Sequence, residues 1–189
     1  LKHAGQGSED GQNWDPGLTP GPVTRGGILL DRDIQEIKVV CFRLGQDTFA
    51  LDIMRVKEII KPLKLSGLPE APSFVEGVIN LRGSIIPVVD LRKRFGYSDC
   101  SYHAECRLLI TVVARQFVGL IVDAVTEVVT IQVRELRPAP SVAKVSGYRY
   151  LIGVCLVKDV LVMLVNPDKI FGHRVSNELQ RFSTETGAV

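Results

Sequence analysis

The chain has 189 residues, of which 46% are hydrophobic and 23% charged, with a formal net charge of +2. That is room for one medium domain or two small ones. It is too apolar for a wholly disordered chain and lacks the global positive field of a nucleic-acid or anionic-membrane binder. With 25 Val and 14 Ile against 2 Met and 12 aromatic residues, β-branched side chains dominate, which favours strands over a helical bundle. No apolar run approaches the roughly 18–20 residues that span a bilayer. The four Cys are too few for a disulfide framework, and the first twenty residues hold no hydrophobic stretch of a secretory signal. The expectation is a reduced, cytoplasmic protein.

Residues 1–36 read as a tail. Their first 27 positions hold seven of the seventeen Gly and too few apolar residues to offset the entropy of ordering. Residues 28–37 are a transition that fits a short helix or a first strand. Then come strands at 38–44 and 48–52, turned by Gly45-Gln46-Asp47. Ile53, Val56 and Ile60 fall at helical spacing, enough for two short turns. A loop with Pro62, Pro69 and Pro72 leads to a hairpin, strands 77–81 and 84–89, turned at Arg82-Gly83. Pro87 lies inside a strand, so its missing N–H should face an edge or a bulge. Asp90 is placed to cap a short helix at 91–95, closed by Gly96. Arg92, Lys93 and Arg94 on that helix read as a solvated basic face, and Phe95 as inward-packing.

The second half takes the same order. A hairpin at 107–114 and 117–122 is followed by the apolar segment of Val125, Val128, Val129 and Ile131. A loop with Pro138 and Pro140 comes next, then a hairpin at 150–157 and 160–165 turned at Lys158-Asp159. Asn166 caps a helix at 167–171, with Pro167 at its first position and Gly172 closing it. Residues 173–189 read as a short C-terminal helix or a frayed tail. A shift of 69 carries Val56, Glu58 and Pro69 onto Val125, Glu127 and Pro138. A shift of 76 carries Gly77, Arg82, Asp90 and Phe95-Gly96 onto Gly153, Lys158, Asn166 and Phe171-Gly172. The ordered recurrence points to a duplicated unit. Each unit would hold about 65 residues, marginal alone, so two small barrels sharing a central apolar layer are expected, with a groove between them as the natural docking site.

Catalysis has no signature. There is no nucleophile elbow, no phosphate-binding loop, and three His, at 3, 103 and 173, supply no evident general base. Cys100, His103 and Cys106 stand within seven residues, but a zinc site usually draws on a second ligand pair, so no metal and no cofactor is expected. Cys41 and Cys155 fall inside strands and read as small buried apolar residues.

One set of segments goes beyond pattern. FALDIMRVKEI at 49–59, LPEAPSFVEGVINLRGSIIPVVDLRKRFG at 68–96, VGLIVDAVTEV at 118–128 and LIGV at 151–154 together resemble the CheW family of bacterial chemotaxis coupling proteins. The most specific stretch is Asn80-Leu81-Arg82-Gly83, followed by Pro87 and Asp90-Leu91-Arg92. The resemblance implies an all-β fold of two packed, five-stranded SH3-like barrels with short helices. They would fill residues 37–172, the first barrel about 37–103 and the second about 104–172, with exchange of terminal strands left open. It implies an adaptor without catalysis. Its partners would be the regulatory domain of the histidine kinase CheA and the helical cytoplasmic tips of methyl-accepting chemoreceptors, and it would be recruited to membrane receptor arrays. By matching position, Val56, Glu58, Gly77, Arg82, Gly83, Val128 and Gly153 would be the receptor-facing set. The kinase contact would use apolar barrel surface not assigned to residues. Gly77 and Gly153 fit either close backbone approach or bulges. Two other readings compete: a small-barrel nucleic-acid binder, and a piece of a larger signalling protein such as the kinase itself or a CheV-type protein.

Overall fold

The computed structural model describes residues 35–139 and 149–171. Residues 1–34 of the expected N-terminal tail, the expected C-terminal segment 173–189, Pro140 and Gly172 lie outside the described residues; Glu36, read as tail, opens β1. The strands are β1 (Glu36–Leu44), β2 (Asp47–Asp52), β3 (Val56–Ile60), β4 (Val75–Leu81), β5 (Ser84–Asp90), β6 (Arg107–Val113), β7 (Gln116–Val122), β8 (Ala124–Gln132), β9 (Arg137–Pro138), β10 (Leu151–Val157) and β11 (Val160–Val165). Helix α1 (Leu91–Phe95) follows β5 and α2 (Pro167–Ile170) follows β11. Among the described residues no helix is long and apolar enough to cross a membrane.

The strands form a six-stranded sheet, β8-β1-β2-β11-β10-β9, and a five-stranded sheet, β3-β6-β7-β5-β4. The fold is all-β with two sheets, as expected, but one sheet gains a sixth strand because Arg137–Pro138 pairs with Gly153 and Val154. The same place beside β4 is taken by a single bridge, Ser66 to Val78. The two orders are therefore the same path drawn twice. The leading hairpin of each half is exchanged: β1-β2 completes the sheet of β8 to β11, and β6-β7 completes the sheet of β3 to β5. Each exchanged hairpin joins its host on both sides, through an antiparallel pair, β1 with β8 and β6 with β3, and a parallel one, β2 with β11 and β7 with β5. A cut at residue 103 does not divide the sheets, and neither half can close its own without the other.

Strand alternation builds three apolar layers. Phe42, Leu44, Phe49 and Leu51 from one exchanged hairpin meet Leu109, Val113, Leu120 and Val122 from the other in a central cluster. The opposite faces of the same strands fill the two outer layers. Val39, Cys41 and Ala50 pack with Cys155, Val162 and Leu164, while Leu108, Ile110 and Ile121 pack with Ile79, Ile86 and Val88. Strands β1, β2, β6 and β7 are thus buried on both faces, which is why they read as near-continuous apolar runs. Burial, together with the nearby Glu127 charge, pushes the Cys41 thiol up to about 11, consistent with an inert core residue.

Local chemistry sets the ends. Asp90 caps α1 by accepting from the Arg92 N–H at 2.9 Å, and Gly96 ends it at φ 83°. Asn166 caps α2 by accepting from the Asp168 N–H at 3.0 Å. Phe95 stacks on Tyr150 with centroids 4.1 Å apart, and Phe171 on Phe74 at 6.3 Å. Two expectations are corrected. Residues 56–60 are strand, not helical turns; only Ile53–Arg55 makes one 3-10 turn. A spacing of four between Val56 and Ile60 satisfies both periods, and β-branched content decides for the strand. Pro87 is on an interior strand. Val78 opposite it gives both backbone groups to Ser66, so the absent N–H faces β7, whose pairing starts only at Val88.

Candidate interaction site

Three hairpins turn through two residues of positive φ: Arg82-Gly83 at 53° and 87°, Ala114-Arg115 at 47° and 69°, and Lys158-Asp159 at 50° and 64°. That is the type I′ pattern, which matches the strand twist but disfavours side chains. Glycine takes this region freely, so Gly83 is at home, whereas Arg82 is not. Asn80 steadies the turn by accepting from the Gly83 N–H at 2.9 Å. The result is an Arg82 side chain 78% exposed at the tip of β4-β5.

Arg82 folds back onto β3, donating to the Glu58 carboxylate at 2.9 Å. Val56 lies two positions earlier on the same strand, half-buried against the central layer. Gly77 is buried on β4. Its φ is 138°, and a Cβ there would lie 2.2 Å from the Ser66 carbonyl oxygen. The five-stranded sheet therefore carries Val56, Glu58, Gly77, Arg82 and Gly83. The other two members of the expected set, Val128 on β8 and Gly153 on β10, belong to the six-stranded sheet. Val128 is half-exposed, and a Cβ on Gly153 would lie 2.5 Å from the Arg137 carbonyl oxygen. Both glycines also sit at register shifts, so close approach and bulge coincide. Gly77→Ala and Gly153→Ala should each lower the unfolding free energy by about 1–3 kcal/mol, because a backbone carbonyl must move. Urea denaturation measures this, and a neutral result at Gly77 would contradict the described contact.

The repeat reproduces the ion pair. Lys158, at the matching hairpin tip, lies 2.7 Å from Glu127 on β8. The hydrogen bond from Lys158 to Glu127, then the Glu127 charge, holds its ammonium above the ordinary range. Where the halves differ is in what flanks the tip. Leu156, Val160 and Leu161 are 66%, 50% and 54% exposed beside Lys158, at positions matched by Asn80, Ser84 and Ile85 in the first half. This apolar rim was not singled out in the sequence. The signal was there: LeuValLysAspValLeu has no polar alternation, so one face must be left bare.

Two of the cavities among the described residues are open to solvent. One, of about 470 Å³, lies between α1 and the β2-β11-β10 part of the sheet, with Phe49, Phe95, Tyr150 and Met163 in its walls. The other, of about 320 Å³, lies under Leu63 and Tyr102. None of the seven expected residues lines either one.

Only Lys93 of the basic triplet of α1 is exposed, so the expected solvated face is corrected at Arg92 and Arg94. Arg92 is fully buried. It grips Asp90 through Nε at 3.0 Å and Nη2 at 2.6 Å, and donates from Nη1 to Asp123 at 3.0 Å and to the Ser101 carbonyl at 2.7 Å. Burial opposes its charge, but Asp90 and then Asp123 outweigh that and hold it above its ordinary range. Lys93 is paired with Glu76 at 2.6 Å, and Arg94 donates to the Ile170 carbonyl at 2.8 Å while stacking over Phe74. The five-residue helix leaves only Lys93 open to solvent, and each of its three cations is met by an acceptor. The basic patch that a nucleic-acid reading needs is thereby lost.

Comparison with known proteins agrees with this architecture. The family model of the CheW-like domain matches residues 38–175. The chain is 33% identical to the chemotaxis protein CheW of Rhizobium meliloti over 134 residues, covering 71% of this chain and 86% of that one. It is 32% identical to the chemotaxis protein CheW of Klebsiella aerogenes, covering 68% and 78%. The crystal structure of the scaffolding protein TtCheW from Thermoanaerobacter tengcongensis superposes with a TM-score of 0.67 at 35% identity, covering 74% of this chain and 94% of that one.

Proposed function

The chain belongs to the CheW-like domain family, and from that premise we propose that it is a non-catalytic chemotaxis adaptor that couples transmembrane chemoreceptors to the histidine kinase CheA. The observation that carries the receptor side is the Glu58–Arg82 pair at an exposed hairpin tip. A guanidinium held by a surface carboxylate is easily exchanged, because such pairs are worth only about 0–1 kcal/mol in water. A carboxylate on an incoming helix can take Arg82 while Glu58 takes a cation of the same helix. Half-buried Val56 beside it and exposed Val128 on the other sheet supply apolar contact. Gly77, Gly83 and Gly153 act by shaping the strands and the turn that hold these groups.

The kinase side is assigned to the other hairpin. Leu156, Val160 and Leu161 form an apolar rim around the Lys158–Glu127 pair, and apolar area of this kind is what the centre of a stable interface requires. This supports contact with the kinase regulatory domain through the six-stranded sheet, which would bring the adaptor to the membrane through its partners. In pull-downs with a chemoreceptor cytoplasmic fragment and with the kinase regulatory domain, each presented alone, the chain should be retained by both. Retention by neither would refute the adaptor reading. Retention on single-stranded nucleic acid with a steep loss on adding salt would favour the nucleic-acid alternative.

A further inference from the structure

The Arg92 network ends on a group that the adaptor role does not use. Residues 103–106 form a tight turn in which the Cys106 N–H donates to the His103 carbonyl at 3.0 Å. The His103 N–H in turn donates to the Cys106 sulfur at 3.3 Å. Asp123, from the end of β7, places its carboxylate against the same turn, with Oδ1 3.7 Å from His103 Nε2. The potential ligand atoms of His103, Cys106 and Asp123 all lie within 4.8 Å of one another. Cys106 and Asp123 are buried, whereas His103 is half-exposed.

Charge gives the second observation. Asp90 and Asp123 bring two negative charges to the single positive charge of Arg92, and all three are buried. Among the buried groups the two carboxylates outnumber the one guanidinium; the exposed Lys93 acts on Asp90, whereas Asp123 is the carboxylate that faces His103 and Cys106. Buried charge without compensation is costly. A divalent cation bound by a Cys106 thiolate, neutral His103 and Asp123 brings the sum of the cation, three anions and Arg92 to zero. Arg92 does not block this arrangement. It donates to one lone pair of Asp123 Oδ1 and stands 3.9 Å from the Cys106 sulfur, the position of an outer hydrogen-bond donor that orients a ligand. The sulfur already accepts one N–H, as a metal-bound thiolate favours.

We propose that His103, Cys106 and Asp123 form a zinc site that closes the loop between the two halves onto the end of β7. Sulfur, imidazole and carboxylate are the ligand types zinc takes, at about 2.0–2.3 Å. Water completes the fourth position on the open side, next to His103. Binding replaces the Cys106 S–H bond with a sulfur–zinc bond and releases the proton to solvent. The sequence hid the site because Asp123 is far from the turn along the chain.

The test strips the full chain with a chelator and titrates it with Co²⁺, the spectroscopic substitute for zinc, with Zn²⁺ in competition. A thiolate-to-cobalt charge-transfer band and the visible bands of four-coordinate cobalt should saturate at one equivalent and bleach when Zn²⁺ is added. His103→Gln, at a half-exposed position, should weaken binding by at least about tenfold and leave the metal-free unfolding midpoint unchanged. Cys106→Ser should lose the charge-transfer band. No band with cobalt in excess would overturn the proposal. So would a band that survives in Cys106→Ser, or equal affinity in His103→Gln.

Discussion

Replacing Arg92 with methionine should lower the unfolding free energy by about 3–5 kcal/mol, the largest single-residue loss expected in the chain. The reason is asymmetry. Methionine fills much of the volume, but Asp90 and Asp123 are left facing each other in a buried space with one positive partner removed. Asp123 also accepts from the Gly45 N–H at 2.6 Å, so the β1-β2 turn, the α1 cap and the 97–106 loop lose their common anchor together. Urea denaturation followed by circular dichroism measures the loss. Replacing all three ionic residues with apolar ones of similar size should cost less than the single change, because no charge is then stranded. A loss below about 1 kcal/mol for Arg92→Met would mean that the network is not the anchor described.

Arg82→Asn should separate stability from function. Asparagine followed by Gly83 is the preferred pair for a type I′ turn. Relief of a left-handed arginine is worth about 1 kcal/mol. The exposed pair with Glu58 is worth about 0.2–1 kcal/mol. The balance leaves stability unchanged or up to about 1 kcal/mol higher. Affinity for a receptor fragment should nevertheless fall by about tenfold or more, since the guanidinium proposed to meet the partner is gone. Calorimetric titration reads the second effect and denaturation the first. A variant that is both more stable and fully binding would remove Arg82 from the interaction site. If it holds, the strained tip is a case of local cost retained at a working surface.

Much of this was legible along the chain because it is local or repeated. The caps at Asp90 and Asn166 need only their own helix starts, and the structure places both as read. The offsets of 69 and 76 set Glu58 beside Glu127 and Arg82 beside Lys158. The structure turns those two alignments into two ion pairs. What could not be read is long-range. Phe42 and Leu109 carry the same alternation whichever sheet their hairpins join, so the exchange of β1-β2 and β6-β7 left no mark in the pattern. Arg92 looked solvated because Asp123, which buries its charge, arrives from the end of another strand. Leu156, Val160 and Leu161 were not singled out because apolar alternation does not say which face has a neighbour.

By the proposed assignment the two hairpin tips, β4-β5 and β10-β11, meet different partners. The most direct measurement is a two-by-two comparison: Arg82→Asn and Leu161→Glu, each against the receptor fragment and the kinase regulatory domain. Arg82→Asn should lose the receptor and keep the kinase, and Leu161→Glu should do the reverse. Loss of the same partner by both variants would contradict the division of labour between the two hairpin tips.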